Sequence, residues 1–191
     1  MTYPDFYVLG DKGIRGALNV SSISGISRTS DPYAILRHEF IPQSPIVWKR
    51  NTGSKPKDCI STSWAVLNLF SDSVFNLFEK CCFTGWDTYQ CVVYGKNDEL
   101  ISGYKGLSVT GACGKLAGNL RRKEIRYNPA GKRYVIFTGL YFDLKTWDGC
   151  DFFTPKKSGY IFVTERVKEA VEKAKFTNIE FRNITTIESL V

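Results

Sequence analysis

Imidazole is almost missing from this chain: His38 is its one histidine. It lies in the alternating segment 33–40 with no Gly-rich nucleophile elbow and no matching Cys or Asp arrangement nearby, so it offers no triad and reads as a structural or surface residue. No C-x-x-C pair occurs among the six cysteines, Cys59, Cys81, Cys82, Cys91, Cys113 and Cys150, and only His38 could add an imidazole ligand, so a zinc site is the minority reading. All six are expected to be thiols. A Walker A loop is also lacking, because Gly111-Ala112-Cys113-Gly114-Lys115 has neither the spacing nor the Ser/Thr; its glycines read as a tight turn. Asp143, Asp148 and Asp151 around Gly149 fit no calcium-loop spacing and read as turn residues. No apolar run approaches the roughly 20 residues that span a bilayer. Residues 1–13 hold no basic segment followed by an apolar one. These absences set the expectation of a cytoplasmic protein that is not an enzyme, with no cofactor, no metal and no membrane partner.

What the chain does have is aromatic mass. Its 191 residues include 13 Phe, 10 Tyr and 4 Trp, which favours sheet over a helical bundle. A hydrophobic share of 43% against 24% charged excludes intrinsic disorder. A chain of this size buries roughly 70% of its unfolded surface and needs no metal or disulfide staple.

An internal repeat organises the sequence. Residues 70–85, FSDSVFNLFEKCCFTG, lie over residues 163–178, VTERVKEAVEKAKFTN, at a constant offset of 93. Val74 meets Val167, Glu79 meets Glu172, Lys80 meets Lys173, Phe83 meets Phe176 and Thr84 meets Thr177. Each copy predicts a helix, near 72–82 and 165–175. Ser71 and Thr164 are placed to accept bonds as N-caps, with Asp72 or Glu165 at the positive helix end. Apolar faces recur at Val74, Leu77, Phe78, Cys81 and at Val167, Ala170, Val171, Ala174. Glu169 and Lys173 suit an i, i+4 pair, and Gly85 and Asn178 stand where left-handed C-terminal caps are wanted. Phe75, facing Lys168 in the other copy, is either a covered core residue or a partner-facing aromatic. Strand-like runs flank each helix at 64–70 and 86–93, then at 160–163 and 179–184. Further strands are expected at 6–9, 34–40, 107–109, 125–127 and 133–144, with a hairpin tip at 127–132. The fold predicted is α+β: one sheet-dominated domain, 1–191, with repeated strand–helix–strand units at 64–93 and 160–184 and a central antiparallel sheet.

The formal charge of +7 is unevenly spread. Residues 115–134 carry seven cations, Lys115, Arg121, Arg122, Lys123, Arg126, Lys132 and Arg133, against Glu124 alone. Tyr127 and Tyr134 interleave with them. Such a hairpin has three readings: a solvated edge protected by charge, a protein-binding surface, or a single-strand nucleic-acid surface. No RNP, KH or zinc-finger motif supports the last.

Three passages carry a resemblance: GYKGLSVTGACGK at 103–115, GLYFDLKTWDGCDFFTP at 139–155 and IFVTERVKEAVEKAKFTNIEF at 161–181. Together they resemble immunity proteins of bacterial polymorphic-toxin systems, with Trp147, Gly149, Asp151, Phe152 and Phe153 filling a Trp-x-Gly-x-Asp-Phe-Phe stretch ahead of a strand, a Ser/Thr-capped helix and a final strand. The resemblance covers the second half, reaches the first repeat faintly and leaves residues 1–60 unmatched. It implies a cytoplasmic protein that binds a cognate toxin domain and blocks it sterically, with no catalysis and no cofactor. An inhibitor of a basic nuclease would be expected to be acidic; this basic chain points instead to a toxin with an acidic binding face. On that reading Arg121, Arg122, Lys123, Arg126, Tyr127, Lys132 and Arg133 are the candidate partner-binding residues. The alternative is a nucleic-acid-binding or regulatory module using the basic hairpin 115–134.

Overall fold

The computed structural model describes residues 2–24, 31–64 and 66–190. It is a mixed α+β, sheet-dominated fold with few helices. In chain order the elements are β1 (Phe6–Asp11), β2 (Asn19–Ser24), α1 (Pro32–Leu36), β3 (Ile46–Thr52), β4 (Cys59–Thr62), β5 (Asn68–Ser71), α2 (Asp72–Lys80), β6 (Trp86–Tyr89), β7 (Cys91–Tyr94), β8 (Leu100–Ile101), β9 (Tyr104–Val109), β10 (Gly111–Cys113), β11 (Arg122–Tyr127), β12 (Arg133–Thr138), β13 (Phe152–Pro155), β14 (Ile161–Thr164), α3 (Glu165–Ala174), β15 (Ile179–Asn183) and β16 (Glu188–Leu190). Three sheets result, ordered β6-β9-β5-β4-β2-β3-β7-β8, β10-β13-β14-β1-β15 and β11-β12-β16. No helix among the described residues is long and apolar enough to cross a membrane.

The repeat extends well beyond the helices. The pairing of β2, β4, β5, β6 and β9 becomes that of β10, β13, β14, β15 and β1 when 93 is added to the first four strands and 98 subtracted from the last. Thus Ser71↔Tyr104 maps onto Thr164↔Phe6, and Asn19↔Ser61 onto Ala112↔Thr154. In each sheet the two strands flanking the helix are parallel and separated by one antiparallel strand. That interposed strand comes from the other half. Residues 6–101 lend β1 to the second sheet, and residues 104–190 lend β9 to the first.

Packing follows the pleat, since alternate side chains face opposite sides of a strand. In the second sheet Leu9, Phe152, Ile161 and Val163 face a large core shared with the first sheet and with Val74, Phe75, Phe78, Val167 and Val171 of the helices. Phe6, Val8, Phe153 and Phe162 face the other way, into a smaller core closed by Leu140, Phe142, Ile184 and Ile187. Trp147 seals its rim against Phe6 and Phe153, at centroid distances of 5.1 and 5.7 Å. The paired Phe152-Phe153 therefore serves two cores at once. Phe75 is 2% exposed and stacked on Trp86, so it faces no partner.

Several local expectations are corrected. Ser71 and Thr164 do sit at the helix N-caps, but neither side chain bonds the helix. Their hydroxyls donate instead to Asp58 and Asp151, because a carboxylate is the stronger acceptor within reach. The left-handed residues ending the helices are Cys82 and Lys175; Gly85 and Asn178 are left-handed too, but three residues later, where the chain turns into β6 and β15. Glu169 and Lys173 do not pair, whereas Lys168 binds Glu172 at 3.3 Å while lying over the Tyr7 ring. Segment 34–40 is no strand, because Asp31 accepts from the Tyr33 amide and Pro32 starts α1. The run 86–93 is two strands, β6 and β7, and the expected strand 133–144 ends at Thr138, where Gly139 turns left-handed. Gly111 does not turn either. It lies within β10, where a Cβ would meet the Phe152 carbonyl at 2.2 Å. The expected strand 64–70 shortens to β5, and its Ala65 lies outside the described residues.

Candidate partner-binding surface

The two halves diverge most between matched strands. Residues 21–58 and 114–151 are segments of equal length, each running from the parallel strand, β2 or β10, to β4 or β13. The described residues of the first fold inward: β3 extends its sheet, and Ile35, Leu36, Ile46 and Trp48 are fully buried. The second folds outward into the hairpin β11–β12, which pairs with β16 and joins neither large sheet. Asn128 closes the tip, accepting from the Ala130 and Lys132 amides.

Alternation then sorts the hairpin into two faces. Arg122, Glu124 and Arg126 lie opposite Thr138, Ile136 and Tyr134. Ile136 and Thr138 on this face are buried. Arg126 is spent here, because its guanidinium forms forked bonds with both Glu124 and Glu188. The fork holds the Glu124 carboxyl below the usual carboxylate range. The opposite face carries Lys123, Ile125 and Tyr127 against Phe137, Val135 and Arg133. It is open: Ile125 is 44% and Tyr127 67% exposed. Arg121 lies over the Phe137 ring, 5.1 Å from its centroid, in a cation–π contact, and donates to Ser189 of β16.

Of the seven candidates, then, Arg121 and Arg126 tie the hairpin to β16, whereas Arg122, Lys123, Tyr127, Lys132 and Arg133 are exposed. None of Arg122, Lys123, Lys132 or Arg133 forms an ion pair among the described residues. Counting cations missed Ile125, Val135 and Phe137. The period-two pattern Lys123, Ile125, Tyr127 is the signal that places them on the open face with the charges.

Other polar groups are engaged in holding the fold. Asp143 and Asp148 accept from the Lys145, Ala112 and Cys150 amides, and Asp151 is a buried brace. His38 is left-handed, with Nε2 3.5 Å from Asp87. The six cysteines are free thiols, and burial pushes those of Cys91 and Cys113 up to about 12. A cavity of about 420 Å³ lies beside β1 between Val66, Asn68 and Tyr160. Its charged residues are already committed, Asp11 to Ser61 and Arg182 to Glu180. Comparison with protein-family models and with curated proteins finds no match for the chain.

Proposed function

We propose that this chain is a protein-binding module that neutralises a bacterial toxin domain by steric occlusion, with the open face of the β11–β12 hairpin as its contact surface. The observation that carries the reading is the divergence of two equal-length segments on one repeated scaffold. One supplies Trp48 and Ile46 to the core; the other puts Ile125 and Tyr127 into solvent among unpaired cations. An aromatic and aliphatic centre rimmed by charge is the composition of a protein interface. The toxin itself is named by the sequence resemblance alone. Because Arg121 and Arg126 are held within the protein, fewer cations remain for a phosphate backbone, which favours a protein partner over nucleic acid.

Co-expression with toxin domains encoded beside this gene tests the reading. Restored growth together with a co-purifying complex is the expected result. Continued toxicity with no complex overturns it.

A further inference from the structure

Resting on that reading of the hairpin, we propose that β11 takes up its partner by strand addition, and that the occupant is an extended, acidic segment of a protein. β11 is six residues long and, among the described residues, pairs on one side only, with β12. Its other side is a sheet edge, where unpaired backbone N–H and C=O groups form a template for another strand. The side chains along it select what can be added. Arg122 and Lys123 stand at one end on opposite faces, while Ile125 and Tyr127 alternate along the open face. Glu124 and Arg126 between them already neutralise each other, with Glu188.

An antiparallel strand added here would meet Tyr127 and Ile125 with apolar residues, Glu124 and Arg126 with neutral polar ones, and Lys123 and Arg122 with acids. Its pattern is apolar-polar-apolar-polar-acid-acid. A second copy of β11 offers no acid to Arg122 or Lys123: paired antiparallel along its full length it would set Tyr127 against Arg122 and Arg126 against Lys123, and like charges directly opposite are destabilising. Among the other edges, β15 has five residues and carries the self-paired Glu180 and Arg182, so it lacks this selectivity.

The test uses the full chain and a blocked peptide, Thr-Val-Thr-Val-Thr-Glu-Glu-Thr. A twin with both Glu changed to Lys and an eight-nucleotide oligothymidylate serve as competitors. Binding is read by fluorescence anisotropy, and its location by amide hydrogen exchange. The acidic peptide is expected to bind at least tenfold tighter than its twin and to slow exchange in 122–127 but not in 179–183. The double variant Arg122→Glu/Lys123→Glu is expected to weaken it at least tenfold. Both positions are exposed, so its melting temperature should stay within about 2 °C of the parent's. Equal binding of the two peptides, no binding, protection at β15, or preference for oligothymidylate overturns strand addition. If the peptide protects β11 but no toxin is neutralised, the toxin reading fails and strand addition stands. If a toxin is neutralised equally well by the double variant, strand addition fails alone.

Discussion

Two carboxylates hold the repeated scaffold together, and they do so by the same bonds. Asp58 accepts from the Thr177 amide and hydroxyl, both at 2.7 Å, and from the Ser71 hydroxyl. Asp151 accepts from the Thr84 amide and hydroxyl and from the Thr164 hydroxyl. Each therefore joins its own half to the other. Asp151 is 4% exposed and also receives the half-exposed Arg166, so Asp151→Ala strands the buried Thr164 hydroxyl and removes the acceptor of the part-buried Thr84 amide and of the guanidinium. We expect a loss of about 3 kcal/mol in chemical denaturation, and a smaller one, about 1–2 kcal/mol, for the more exposed Asp58→Ala. At Asp58 burial pushes the carboxyl up, but the bonds from Thr177 and Ser71 outweigh it and leave the pKa depressed. A depressed carboxylate contributes stability above its unfolded pKa of about 3.9 and loses it as pH falls through the folded value. The stability gap between wild type and Asp58→Asn should thus be constant from pH 7 to 5 and shrink below about pH 4. Thiol labelling gives a second residue-scale check. Exposed Cys82 should react first with a soluble thiol reagent, while Cys59 and Cys113 stay silent until the protein unfolds.

The elements differ in how firmly they are anchored. β14 contributes to both cores, whereas β11 contributes to neither. Amide exchange should accordingly be far faster across 122–127 than across 161–164. Ile125→Ser and Tyr127→Ala remove exposed side chains and should change folding stability by no more than about 0.5 kcal/mol. If the open face binds a protein, Tyr127→Ala should nonetheless cost about 2 kcal/mol of affinity, measured by titration calorimetry. The helices were legible in the sequence because their period and the shared offset are local properties, and the hairpin because Asn128-Pro129-Ala130-Gly131 is turn chemistry. The sorting of its cations was not legible. Glu188, which takes up Arg126, lies 62 residues away and is brought close only by β16.

At the scale of the molecule, the exchanged strands were the least legible feature. From Asp11 to Asn19 the chain takes five more residues than between the equivalent positions Val109 and Ala112, which breaks the 93-residue offset where the eye would need it. Leu9 and Leu107 are the one identical pair that remains between β1 and β9. The exchange makes a strong prediction. A chain cut between Ile101 and Tyr104 should yield two fragments that are each unstable alone and regain the native circular dichroism when mixed. The recovery should depend on concentration, since each fragment carries the strand the other's sheet requires.

The same arrangement fixes an order of events on the ribosome. Among the described residues β1 pairs with β14 and β15 alone, so it leaves the exit tunnel long before either neighbour has been made. The first sheet can close once β9 has emerged, but the second waits for residues 179–183. Such long-range pairing is slow to form. A message broken anywhere before that point yields a chain in which Phe6, Val8 and Leu9 have no complete sheet to enter, and such a product carries an unpaired apolar strand that favours aggregation.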